Sequence, residues 1–295
     1  MKYHIEKNTV QETLVIPLFG RLVCSEHFPE LFSDAEAKRI CDSLDYDFAE
    51  KKKKMESAVG LFGALEVAQR QYDLLCEVRA YLQTHPKAAV VNLGCGLDDT
   101  FRKADNGRCR GYNLDLPDVI EVRSVLLPAA EREENIACDL TDFSWMDRID
   151  SSDGAVFFAS GVFYYLRTED VKKLLCAMAE RFPGAVLAFD SCNARGAKMM
   201  RATWLKEAGI TDVDAFFSLE DESELAAWSD RFACVTAKSY MRGYRDIDKS
   251  VGLLHKLMIR FCDNLVKMKI VKIGFAGERK HMNPAGKNSD SIGQR

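Results

Sequence analysis

Val90-Val-Asn-Leu-Gly-Cys-Gly-Leu-Asp98 reads as a hydrophobic strand running into a glycine turn, and an acid, Asp115, closes the next apolar run. This is the pattern of a nucleoside-binding crevice. Glycines at a strand end let backbone approach a ligand with no Cβ in the way. An acid at the tip of the second strand can accept hydrogen bonds from both ribose hydroxyls. By itself Gly94-Cys95-Gly96 is equally compatible with an ordinary tight turn, and Asp115 is what weighs it toward a nucleoside site. The third glycine of a dinucleotide fingerprint is missing, because Leu97-Asp98-Asp99 follows. Those acids would sit where a pyrophosphate needs N–H groups and no negative charge. S-adenosylmethionine has no phosphate and carries cationic centres, so it tolerates such a turn.

Working outward, short apolar runs alternate with helical patterns after residue 86. Strands are expected over Ala88–Leu93, Cys109–Leu114, Asn135–Cys138, Gly154–Ala159 and Ala185–Phe189, the last two continuous as in a strand covered on both faces. Pro117 opens a helix to Leu127, and Thr168 caps one to Phe182 with Glu169 and Asp170 in its first turn. Late strands are expected at Phe232–Tyr240 and Lys269–Phe275 around a helix near Val251–Val266. The alternation predicts an α/β fold with a doubly wound, mostly parallel sheet. Residues 1–85 read as helical, with no convincing strand: one helix capped by Ser33 or Asp34 through Leu44, another from Ala58 to Thr84, stopped by His85-Pro86. The chain is thus divided into an N-terminal helical lid (1–85), a core (86–276) and a polar tail (277–295) expected to be disordered.

Composition narrows the function. The 295 residues are 47% hydrophobic and 29% charged, as in a globular protein, and the net charge of −4 argues against sequence-general nucleic-acid binding. Lys51–Lys54 reads as a solvated block. Ten cysteines include no CxxC pair and no Cys/His cluster at zinc-ligand spacing. Cys138, Cys176 and Cys234 lie in apolar runs and are expected to act as small hydrophobes. Unpaired thiols, no apolar leader and no long apolar window predict a cytoplasmic protein without a membrane span. Cys95 is expected to be modestly reactive but dispensable, its backbone being what the turn uses.

Two more segments belong to the crevice. Cys138-Asp139-Leu140 follows the third strand, where Asp139 could accept from an adenine amino group while Leu140 covers a ring face; a turn or N-cap role for Asp139 is the alternative. Ala159-Ser-Gly-Val-Phe-Tyr-Tyr-Leu166 follows the fourth strand. In open α/β sheets such segments converge at the carboxyl ends of strands.

VVNLGCGLDDTF, NLDLPDVIEVR, ACDLTDFSW and ASGVFYYL, with ETLVIPLFGR and AKSYMRGYRDI, resemble the leucine carboxyl methyltransferase family, especially its bacterial polyketide-associated, tetracenomycin-type O-methyltransferases. The resemblance spans roughly residues 10–275. It implies a Rossmann-like class I methyltransferase fold with a seven-stranded sheet and S-adenosylmethionine as methyl donor. It implies that Gly94, Cys95 and Gly96 line the methionine part, Asp115 and Leu116 the ribose, and Asp139 and Leu140 the adenine. Arg70 would hold the carboxylate, Ser160 and Gly161 would complete the cofactor site, and Tyr165 would lie near the transferred methyl group. Tyr164 and Arg21 are the acceptor candidates. Protein-methylating members have a Glu where Ser160 stands, and no N-terminal lysine equivalent is found beyond Arg21; both differences argue against a protein C-terminus as acceptor.

Other readings stay open. Arg21 and Arg70 could be surface helix charges, Tyr164 and Tyr165 core aromatics, and His85 and His255 are expected to be structural or exposed. No His, Lys or Glu stands out near Ser160–Leu166, which favours an acceptor arriving ionised, a carboxylate or an acidified phenol. The expected partner is therefore a small-molecule acceptor. A non-catalytic cofactor-binding protein, an NAD enzyme and a protein carboxyl methyltransferase are the alternatives.

Overall fold

The computed structural model describes residues 2–5, 10–200 and 217–277. Two short strands, β1 (Tyr3–His4) and β2 (Leu44–Asp45), pair in parallel within the region read as purely helical. A two-residue pairing leaves no periodic trace in sequence, so pattern alone misses it. Around them lie helices α1 (Val10–His27), α2 (Ala35–Ser43), α3 (Ala49–Met55) and α4 (Ala58–Thr84). Asp34 caps α2, its carboxylate accepting from Ala37 N–H at 2.8 Å. Ser57 caps α4 through Gly60 N–H, and the helix stops before Pro86 as expected.

The core alternates β3 (Ala89–Leu93), α5 (Thr100–Ala104), β4 (Arg110–Asp115), α6 (Pro117–Leu126), β5 (Glu133–Ala137), β6 (Ala155–Ala159), α7 (Thr168–Arg181) and β7 (Val186–Ser191). It continues with α8 (Ala194–Met200), α9 (Ser223–Ala226), β8 (Phe232–Ser239), α10 (Leu253–Phe261) and β9 (Lys269–Phe275). The seven strands run β5-β4-β3-β6-β7-β9-β8, all parallel except β9, which is antiparallel to both neighbours. The chain winds outward from β3 through β4 to β5 and then resumes at β6 on the other side of β3. The carboxyl ends of β3 and β6 therefore flank the reversal point, where such sheets bind ligands.

Strand periodicity splits the core into two layers. Val90, Val156, Phe158 and Ala188 face one layer with α1, α4 and α6. Val91, Phe157, Leu187 and Phe189 face the other with α7 and Trp145. Each fully buried large apolar side chain contributes roughly 1.5–3 kcal/mol, whereas an exposed ion pair contributes about 0–1, so burial on both faces sets the sheet's place.

Some local expectations shift. Thr168 is the first helical residue of α7 rather than its cap, and Arg167 occupies the cap without a side-chain capping bond, its guanidinium pairing with Asp170. The helix expected near Val251–Val266 is α10 followed by a π-turn, Cys262–Val266, ended by Lys267 in the left-handed region. The tail expected to be disordered lies, beyond Gly277, outside the described residues. No helix among the described residues is long and apolar enough to cross a membrane.

All ten cysteines are free. Cys138 and Cys176 are half-buried, while Cys234 is exposed on β8, an edge strand, and is not the core residue its apolar run suggested. Burial pushes Cys24, Cys41 and Cys192 up to about 12. A thiol-reactive chromogenic reagent should therefore label Cys234 first in the native protein, and Cys234→Ser should remove that fast phase while intact mass shows no reductant-sensitive pair. A fast phase surviving the substitution would contradict this order of exposure.

Candidate functional site

Two adjoining cavities, about 340 and 180 Å³, open at the carboxyl ends of β3, β4 and β6 under α1 and α4. They meet at Arg70, Ser160, Gly161 and Tyr165, which line both. The larger falls in the range of small-molecule sites. It gathers Gly94, Cys95, Gly96, Asp115, Leu116, Asp139 and Leu140, three segments separate in sequence. Tyr164 lines the smaller cavity, buried, and Tyr165 stands partly exposed between the two.

The glycine turn leaves β3 with Gly94 at φ +66°; a Cβ there would meet Val162 at 2.5 Å, so this position is closed to other residues on both counts. Asp115 takes Gly96 N–H on one carboxylate oxygen and Leu116 N–H on the other, each at 2.8 Å. Those bonds aim the group, and each oxygen keeps a second lone pair for a ligand hydroxyl. Burial raises the Asp115 carboxyl above its usual range even though both N–H bonds oppose that. Asp139 Oδ1 accepts from the N–H and hydroxyl of Thr141, the turn role offered as its alternative reading, and the residue lines the larger cavity.

Arg70 reaches from α4 to the end of β7, where Nη1 meets Asp190 Oδ2 at 3.1 Å. Asp190 Oδ1 accepts Gly161 N–H at 2.6 Å. Gly161 has φ +70°, and a Cβ there would strike the Arg70 guanidinium at 2.7 Å. One buried carboxylate thus fixes the cation and the turn after β6. Arg70 Nε is buried without a hydrogen-bond partner among the described residues. Sequence reading passed over Asp190, although an acid ending the apolar run AVLAFDS was the available signal.

Arg123 was also missed. It is buried on α6, and Nη1 donates to the Gly96 and Asp98 carbonyls, both at 2.8 Å, bracing the turn from below. Asp98 and Asp99, the acids of the turn, accept from Gln71 of α4, and Lys103 pairs with Asp99 and Asp34.

Two expectations are corrected. Arg21 is not a surface charge but buried: Nε binds Asp34 and Nη2 binds the Leu97 carbonyl, both at 2.9 Å. It lines the larger cavity and not the smaller, joining α1 to the glycine turn. Burial alone would push Asp34 up, but Arg21 and Lys103 outweigh it and hold the carboxyl below its usual range. Cys95 is fully buried and burial pushes its thiol well up, so its expected reactivity is not borne out by the geometry. Among other groups, Glu66 of α4 lines the smaller cavity, where no carboxylate was anticipated. Its signal was weak, since it sits inside a long helical pattern. His85 stacks on Tyr81, and His255 bonds the Ala58 carbonyl; neither lines the two cavities.

The sheet order and the acid-tipped second strand beside a glycine turn define a class I S-adenosylmethionine-dependent methyltransferase fold. A profile of leucine carboxyl methyltransferase matches residues 18–179, more than half of the chain, and the chain belongs to that family. It is 28% identical over 201 residues to the tetracenomycin polyketide synthesis O-methyltransferase TcmP of Streptomyces glaucescens, covering 66% of this chain and 72% of that protein. Among solved structures it is similar to a DUF574 family protein of Streptomyces avermitilis, with TM-score 0.58, 14% identity, and 80% and 95% of the two chains covered. A candidate methyltransferase of Thermobifida fusca gives TM-score 0.55 and 17% identity over 88% and 94%. At such identities the structural likeness is one of fold.

The Asp190 bridge generates a test. Asp190→Ala leaves Arg70 buried and uncompensated, which should destabilise the protein by roughly 3 kcal/mol in urea denaturation. A near-neutral change would mean that the bridge does not organise the junction.

Proposed function

We propose that the chain is an S-adenosylmethionine-dependent O-methyltransferase acting on a carboxylate or phenol oxygen of a small molecule. The observation that carries this reading is the pair of cavities meeting at Arg70, Gly161 and Tyr165, one acid-lined and one walled by tyrosines and methionines. The larger cavity fits the methyl donor on its own chemistry. Asp115 and Asp98 suit a ligand with ribose hydroxyls and positive charge, and the unpartnered Arg70 Nε suits a carboxylate. Gly94 and Gly96 would receive the methionine part, with Ser160 beside it. Asp115 and Leu116 would hold the ribose, and Asp139 and Leu140 the adenine.

When bound, S-adenosylmethionine supplies a methyl group activated on a sulfonium. The chain's own contribution is placement: α1 and α4 cover the junction and exclude water, and Tyr165 bounds the space in which acceptor oxygen and methyl carbon must align. Similarity to a polyketide O-methyltransferase supports a small acceptor.

Asp115→Ala should weaken S-adenosylhomocysteine binding by about 1.5–3 kcal/mol in calorimetry, through loss of a charge-assisted acceptor. Unchanged affinity would sink the assignment of the larger cavity. Labelled-methyl transfer should appear with small aromatic acids or phenols. Efficient transfer to a peptide C-terminus with none to any small acceptor would favour the protein-methylating alternative.

A further inference from the structure

We propose that the smaller cavity takes a neutral hydroxyl, phenolic or enolic, and that Glu66 accepts its proton as the oxygen is methylated. This rests on the O-methyltransferase reading and narrows its acceptor class. Glu66 lines the smaller cavity but not the larger. Its Oε1 takes the Cys262 thiol at 3.7 Å and its backbone carbonyl takes the Tyr240 hydroxyl at 2.7 Å. Oε2 has no hydrogen-bond partner among the described residues, which leaves it for a ligand.

The charge balance selects the acceptor. Among the described residues lining this cavity, Glu66 and Arg70 alone carry charge, and Arg70 is already paired with Asp190. A carboxylate would bring like charge to Glu66, whereas a hydroxyl can donate to Glu66 directly. Tyr164, Tyr240, Met199 and Met268 supply a flat, polarisable wall suited to an aromatic ring.

The groups facing Glu66 are Arg70 on its own helix, Cys262 in the π-turn, Tyr240 after β8 and Cys192 after β7, with Tyr164 lining the same cavity. Burial pushes both tyrosines and both thiols up, so they stay neutral near pH 7. Burial raises Glu66 itself to about 7, despite Arg70 and the Cys262 hydrogen bond. A carboxyl poised there is matched to taking a proton at neutral pH.

In the step, the acceptor O–H bond breaks toward Glu66 Oε2 and the freed oxygen pair forms the O–CH₃ bond. The pair of the methyl–sulfur bond leaves on sulfur, which loses its positive charge. Glu66, now a neutral acid, returns its proton to solvent as product departs.

The test uses the full chain loaded with S-adenosylhomocysteine, with 4-nitrophenol and 4-nitrobenzoate as probes, followed by calorimetry and absorbance from about pH 5.5 to 8.5. The wild type should bind 4-nitrophenol, and its affinity for 4-nitrobenzoate should fall about tenfold as Glu66 ionises. E66Q should remove that pH dependence and shift preference toward 4-nitrobenzoate by about tenfold, and bound 4-nitrophenol should ionise at lower pH than in wild type. With a hydroxyl acceptor that turns over, E66Q should lose about 10²-fold in single-turnover rate. PH-independent 4-nitrobenzoate affinity in the wild type overturns the proposal, as does failure to bind 4-nitrophenol while S-adenosylhomocysteine binds. The wild-type comparison decides even if E66Q does not fold. Failure to bind S-adenosylhomocysteine overturns the underlying reading, and this one with it.

Discussion

The Asp190 carboxylate is the point on which the site turns. Buried at the end of β7, it accepts the Gly161 N–H with one oxygen and pairs with Arg70 through the other. A buried ion pair is a weak source of net stability, because desolvation offsets its attraction. Its effect here is geometric. It sets the path of the chain after β6, holds α4 to the sheet, and places a cation where both cavities meet. Gly161 is the complement of that arrangement, since any side chain would displace the guanidinium.

A second network holds the glycine turn, and it explains how an acidic turn is tolerated. Asp98 and Asp99 would repel one another and Asp115 if left bare. Instead Gln71 and Lys103 engage them from the outer side, while Arg123 binds the turn's carbonyls from below and Arg21 binds Leu97 from above. The arginines act on backbone oxygens and so brace the turn while leaving the Asp115 carboxylate its second lone pairs. Because Arg21 also pairs with Asp34 at the start of α2, the same cation ties α1 and α2 to the glycine turn.

The two cavities differ in kind because different elements build them. Strand ends and turns line the larger, so backbone groups and short acids dominate its polar character. Helices α1, α4 and α8 contribute most of the smaller, giving longer and softer side chains. Strand ends hold side chains rigidly, whereas helical walls can be reshaped by sequence change.

By itself the sequence determined the elements whose information is local. The apolar runs of β3, β6 and β7, the stop of α4 before Pro86, and the glycine turn all depend on residues within a few positions of one another, and Asp115 ends the very next strand. Strand and helix periodicity encode them directly. Long side chains were another matter. Arg70 and Asp190 lie 120 residues apart, Arg21 and Leu97 76, and Glu66 and Cys262 196. Which partner an arginine or glutamate finds depends on which elements the sheet order brings alongside. The bonds of Arg21 to Asp34 and Leu97 were therefore not legible in the sequence, and Glu66 read as one more position on a helix. The tertiary structure alone decided these, because a charge's role is set by the buried neighbours it is given rather than by the residues that flank it.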